Sequence, residues 1–170
     1  MAPVVVLVGP PGAGKTVVGR ALADLLGAEF RDTDADVEKA AGISVADIFV
    51  DRGEAAFRSM EAVAVEDALR SHDGVLSVGG GAVLDPSTRE RMRGMPVVFL
   101  DVGIKDAASR VGLNRDRPLL LGNPRAQWLR LMEDRRPIYE AVSTVTVSTD
   151  GLTPEEVAAQ VASRLREVPE

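Results

Sequence analysis

The chain has 170 residues, 45% hydrophobic and 27% charged, a length and balance that predict one globular domain with its own core. A net charge of −6 and a pI near 4.9 argue against a nucleic-acid partner, so positive charge should be concentrated around a small anionic ligand. With no cysteine, disulfide and thiol chemistry are excluded; no apolar run approaches the roughly 18 residues of a membrane span, the N-terminus does not read as a signal peptide, and a cytoplasmic protein is expected.

Val4 to Val8 is an apolar run that predicts a buried strand, and it ends in Gly9-Pro-Pro-Gly12-Ala-Gly14-Lys15-Thr16. That stretch fits G-x-x-x-x-G-K-[ST], in which backbone N–H groups converge on phosphates at the positive end of the next helix. Lys15 is placed to reach the β- and γ-phosphates, and the Thr16 hydroxyl to ligate Mg²⁺. The helix after it should bury Val18, Ala21, Leu22, Leu25 and Leu26 on one face. Strand before and helix after make nucleoside triphosphate binding the expected function.

Ala28 to Asp32 predicts a second strand, followed by Asp32-Thr-Asp34-Ala-Asp36. On extended backbone residues i and i+2 project the same way, so Asp32 and Asp34 should both face the phosphate loop. One would then orient Mg²⁺ and the other accept a substrate hydroxyl and its proton; the competing reading is that Asp34 only caps a helix. Helical patterns follow over Val37–Ala41, Ser44–Asp51, with Ser44 and Asp47 as a cap, and Glu54–Arg70, with Phe57, Met60, Ala64 and Ala68 along one side. Arg58 has glutamates four residues before and three after, so a surface ion pair competes with any ligand role. His72, beside Asp73-Gly74, is expected to be a solvated turn residue.

Val75 to Val78 predicts a strand ending in Gly79-Gly80-Gly81, where three glycines suggest close approach by a ligand and N–H groups free to bind it. Asp85-Pro86 opens a helix, Pro96 to Asp101 is a strand, and Lys105 to Val111 a helix. Asp101, at the end of an apolar strand, competes with Asp32 for the metal but is read as a decoy. Asn114 to Pro124 is loop-like and long enough to form a lid, which would carry Arg117 onto a transferring phosphate. A helix runs from Arg125 to about Arg136, where Pro137 should end it, Val142–Ser148 is the last strand, and Thr153-Pro154 opens a closing helix. Phe49, Phe57 and Trp128 read as packing residues. Alternating strands and helices imply an α/β fold with a parallel sheet covered on both faces.

GPPGAGKT, Asp32-Thr-Asp34, Phe57-Arg58, SVGGG at 77–81, Arg117-Pro-Leu-Leu and Arg135-Arg-Pro-Ile-Tyr139, in that order, resemble a shikimate kinase over nearly the whole chain. The resemblance implies a three-layer P-loop kinase fold with a five-stranded parallel sheet, a helical substrate-binding region at about 33–61 and a mobile lid at about 112–124. It implies transfer of the ATP γ-phosphoryl group to the 3-hydroxyl of shikimate in aromatic amino-acid biosynthesis, with Mg²⁺, in a cytoplasmic monomer. ATP would meet Gly12, Ala13, Gly14, Lys15, Thr16, Val17, Arg110 and Arg117, with Arg110 packed on adenine, and the metal would meet Thr16 and Asp32. Lys15, Asp34 and Arg117 would be catalytic; Asp34, Arg58, Gly79, Gly80, Gly81 and Arg135 would hold shikimate. Arg135 is preferred to Arg136 because adjacent helical residues point about 100° apart and only one can face the site. The alternatives are another small-molecule P-loop kinase, of gluconate or nucleoside monophosphate type, and a nucleotide-binding regulatory module without turnover.

Overall fold

The structure, a computed structural model, describes residues 2–111 and 123–167. Five parallel strands form one sheet: β1 (Val5–Val8), β2 (Phe30–Asp32), β3 (Val75–Ser77), β4 (Val97–Asp101) and β5 (Val145–Ser148), in the order β2-β3-β1-β4-β5. Strand β1 is central and wholly buried, paired with β3 on one side and β4 on the other, as its unbroken aliphatic run requires. Reversal of strand order about β1 leaves a crevice beyond its carboxyl end, where the phosphate loop begins.

The helices are α1 (Lys15–Leu26), α2 (Thr33–Ala41), α3 (Val45–Arg52), α4 (Glu54–Ser71), α5 (Pro86–Met92), α6 (Ile104–Val111), α7 (Pro124–Val142) and α8 (Pro154–Glu167), with a 3₁₀ turn at Ala82–Leu84. Several starts follow the cap chemistry of the sequence. Ser44 Oγ accepts from Asp47 N, Asp85 from Ser87 N ahead of Pro86, and Thr153 Oγ1 from Glu156 N. The main core surrounds the sheet, and a smaller one, Val37, Ile48 and Phe57, ties α2, α3 and α4 into a side structure.

Four expectations need correction. Helix α2 begins at Thr33, so Asp32 is its N-cap and Asp34 lies in its first turn, not on extended chain. Helix α1 turns Val18, Gly19, Leu22 and Ala23 inward and leaves Leu25 and Leu26 exposed. Gly19 sets this rotation, because a side chain there would collide with Phe30. His72 is buried and hydrogen-bonds the Val75 carbonyl at 3.1 Å, closing the turn into β3.

The fourth concerns Pro137, which lies inside α7 and does not end it. An interior proline costs about 3 kcal/mol in a helix. Here the helix is held on both sides of it. Arg136 makes a bidentate pair with Asp101 at 2.8 and 3.0 Å, and the fully buried Tyr139 stacks on Phe99 with ring centroids 5.1 Å apart.

Candidate active site

Gly12 and Gly14 occupy left-handed backbone, φ 87° and 86°, which shapes the loop after β1 around its own amides. Gly14 is the N-cap of α1 and supplies no side-chain oxygen, and no acidic residue lies in the first turn. The first amides of α1 are therefore left to an anion. Lys15 Nζ donates to the Gly9 and Pro10 carbonyls at 2.8 and 3.2 Å, folding its stem under the loop. Burial brings its pKa down to about 8, against the upward pull of Asp34 and Asp32. A cleft of about 460 Å³ opens here, lined among others by Gly12, Gly14, Lys15, Thr16, Asp32 and Asp34.

Both aspartates reach this cleft, though by a different geometry from the one expected. Asp32 spends Oδ1 on the amide of Asp34 at 2.9 Å and turns Oδ2 toward Thr16 Oγ1, which donates to it at 3.1 Å. The cap thus holds Asp32 beside the Thr16 hydroxyl and sets Asp34 one step further along. Asp34 Oδ1 is buried and has no hydrogen-bond partner among the described residues. Burial first, then the charges of Asp32 and Glu61, raises the Asp34 pKa to about 6.

Beyond this cleft, α4 carries Arg58, which lines a second cavity of about 350 Å³ with Glu61 and Gly81, and α7 carries Arg135. Arg58 donates to Glu61 Oε1 at 2.8 Å, with Glu54 at 3.6 Å on its other side. Glu61 is buried, which pushes its carboxyl above the usual range despite Arg58, and its Oε2 is unpartnered among the described residues. A Cβ on Gly79 would stand 2.5 Å from Glu61 Oε2 and 2.9 Å from Asp34 Oδ1; one on Gly81 would enter the Arg58 guanidinium. At both ends of the triple glycine, then, the protein's own acids and guanidinium take up the space of the missing side chains.

Gly80 packs against the phosphate loop itself: its Cβ would lie 3.3 Å from the Gly9 carbonyl oxygen and 3.4 Å from the Pro11 ring. Arg135 Nη1 would be 3.5 Å from the same Cβ, and the Arg135 charge acts on Lys15, Glu61 and Tyr139. Arg136 points away to Asp101, so the carboxylate read as a decoy is occupied by an ion pair.

Arg110 donates to the Gly12 and Ala13 carbonyls at 3.0 and 3.4 Å and to Thr149 Oγ1 and O at 3.0 and 3.1 Å. It fastens the loop after β5 to the phosphate loop, and the half-exposed Val17 stands at the mouth of the cleft. Arg117 and most of the expected lid lie outside the described residues. Three residues at the site escaped the sequence reading. Glu61 looked like half of a surface ion pair, although its i+4 spacing from the buried Phe57 was a signal that it faces inward. Trp128 reads as packing and Tyr139 only as the end of the Arg135–Tyr139 motif, yet Trp128 Nε1 donates to the Pro11 carbonyl at 2.9 Å and Tyr139 Oη to the Gly80 carbonyl at 2.6 Å. Among the described residues no cluster of three His, Cys, Asp or Glu could hold a metal by itself, and no helix is long and apolar enough to cross a membrane.

Comparison with known proteins identifies the family. A family model described as "Shikimate kinase" matches residues 11–166. A shikimate kinase of Salinispora arenicola is 58% identical over 165 residues, covering 97% of this chain and 99% of the relative. One from Streptomyces coelicolor is 55% identical over 168 residues, covering 98% of each. The solved structure of an Acinetobacter baumannii shikimate kinase in complex with shikimate superposes with a TM-score of 0.89 at 34% identity, over 98% of this chain and 94% of that one. With the family model matching most of the chain and relatives above 50% identity along nearly all of it, the chain belongs to the shikimate kinase family.

Proposed function

We propose that the chain transfers the γ-phosphoryl group of ATP to the 3-hydroxyl of shikimate, with the triphosphate on the Gly12–Thr16 amides and the acid between Arg58, Arg135 and the triple-glycine turn. The observation that carries this reading is the convergence of three elements on one gap. Asp34 lies beside Lys15 on the phosphate side and beside Gly79 and Glu61 on the acid side. A hydroxyl donating to the Asp34 carboxylate where it lines the cleft with Gly12, Gly14 and Lys15 would face the end of the triphosphate.

Each residue then has a physical task. Lys15 exchanges two loop carbonyls for phosphate oxygens and neutralises charge as the phosphoryl group moves. Asp34, held close to neutral pH by burial, orients the hydroxyl and accepts its proton. Arg58 and Arg135 offer planar donors to the substrate carboxylate, which suits arginine better than lysine. Glu61 fixes the Arg58 fork before substrate arrives. Arg117 is assigned to the transferring phosphate on its sequence context alone.

The Thr16 hydroxyl and the Asp32 carboxylate, 3.1 Å apart, form a hard-oxygen pair suited to Mg²⁺, which takes few protein ligands and completes its shell with water and phosphate. Bound there, Mg²⁺ would neutralise charge on the phosphates. A monomer and a cytoplasmic location are proposed with this reading. The test is ADP release with shikimate, gluconate and nucleoside monophosphates in parallel. Release with shikimate alone is expected, and turnover with another acceptor instead would reject the assignment.

The two neighbouring arginines allow a sharper check. Arg135→Ala should raise the shikimate KM by about 10–100-fold, the range for a lost charged hydrogen bond, with little change in thermal stability. Arg136→Ala should leave that KM within about threefold and lower the Tm, because it strands Asp101. Steady-state kinetics and melting curves on both variants decide, and a KM defect confined to Arg136→Ala would reverse the assignment.

A further inference from the structure

Trp128, Met132, Arg135 and Tyr139 follow one another at i, i+4, i+7 and i+11 along α7. At about 100° per residue, 11 residues make three turns plus about 20°, so all four lie in one stripe, with about 16 Å of helix between the first and last. Both ends of that stripe donate a hydrogen bond to a main-chain carbonyl of the site. Trp128 Nε1 reaches Pro11 in the phosphate loop at 2.9 Å, and Tyr139 Oη reaches Gly80 in the triple-glycine turn at 2.6 Å. The two donors are buried, at 6% and 0% exposure, so neither side chain is free to swing away. Their targets also touch each other, since the Pro11 ring and the Gly9 carbonyl pack on Gly80.

We propose that this stripe of α7 is a two-point clamp, in which Trp128 positions the phosphate loop for nucleotide and Tyr139 positions the triple-glycine turn for the acid substrate. Neither residue touches the reacting atoms; each acts through the carbonyl it holds. The Gly80 carbonyl orients the peptide plane that joins Gly80 to Gly81, and the Pro11 carbonyl likewise orients the amide of Gly12. Arg135 stands between the two anchors, so the same stripe also sets the guanidinium at the acid end. The assignment of the two ends to nucleotide and acid rests on the function proposed above.

The test removes each donor while keeping an aromatic ring, and measures ADP and shikimate affinities separately by calorimetry. Trp128→Phe should weaken ADP about three- to tenfold and leave shikimate within twofold; Tyr139→Phe should do the reverse. Lower Tm with both affinities within twofold of wild type, or equal losses for both ligands in either variant, would reduce the clamp to ordinary packing and overturn the proposal. If Trp128→Phe does not fold, the wild-type protein supplies the measurement, because Trp128 is its single tryptophan and gives one indole N–H resonance. ADP should shift that resonance, and an unmoved signal at saturation overturns the nucleotide end of the clamp. A wild-type protein that ignores shikimate would reject the substrate reading, while the ADP measurements would still decide the Trp128 anchor.

Discussion

Asp34→Asn should lower kcat by about 10²–10⁴-fold, the usual contribution of a positioned acid–base group. Asparagine retains the shape and keeps one oxygen toward the hydroxyl, but it cannot take a proton. Shikimate KM should change far less than kcat, because Arg58 and Arg135 still hold the carboxylate. The same substitution should stabilise the ligand-free protein. Asp34 carries a raised pKa, about 6 against an ordinary 3.8, because burial and the charges of Asp32 and Glu61 disfavour its ionised form.

The sign follows from proton counting. Between pH 4 and 6 the folded state holds this proton more tightly than the unfolded state, so wild-type stability falls as pH rises through that window and then levels off. Asparagine has no proton to lose. Its advantage should be small near pH 4 and complete above about pH 7, at up to about 3 kcal/mol or roughly 6–12 °C in Tm. Melting curves of both proteins with EDTA at pH 4, 6 and 8 test this. A variant that turns over normally removes Asp34 from the chemistry, and one equally stable at every pH removes the raised pKa.

Lys15→Met should be the second large loss, with kcat/KM for ATP down about 10²–10³-fold, the scale for deleting one donor that meets developing charge. Methionine approximates the length of the stem and lacks the ammonium, so the Gly9 and Pro10 carbonyls lose their shared donor as well. Part of the defect should therefore appear as weaker ADP binding. Kinetics at saturating shikimate, set beside ADP calorimetry, separate the two contributions. Turnover within tenfold of wild type would show that the loop amides alone carry the phosphates.

These predictions rest on residues that were unevenly legible in the chain. The phosphate loop was readable because an aliphatic run, the three glycines Gly9, Gly12 and Gly14, all with positive φ, and a Lys-Thr pair follow one another within Val4–Thr16. The parallel sheet was readable for a similar reason: its inner strands β1, β3 and β4 are short, largely apolar runs between turn signals, although the edge strands β2 and β5 carry polar residues. The geometry of Asp32 and Asp34 was not, because a three-residue strand passes directly into a helix and spacing of two is compatible with either backbone. Glu61 was hidden by composition, since a carboxylate three residues after an arginine usually belongs on a wet helix surface. Pro137 misled for a different reason. Local preference says that a helix stops there, whereas Arg136 and Tyr139 are held by distant partners that no local pattern reveals. The roles of Trp128 and Tyr139 were equally invisible, because their donors seek main-chain oxygens more than 50 residues away.

The bare backbone at Gly79 and Gly81 has a practical consequence for anyone dissecting this pocket. A methyl group at either place would first evict Glu61 and Asp34, or Arg58. Kinetic damage in such alanine variants would thus register displaced neighbours, whatever the local peptide N–H groups do. Swapping an ester for the amide, which deletes one hydrogen and adds no bulk, is the cleaner way to ask whether those N–H groups meet the substrate.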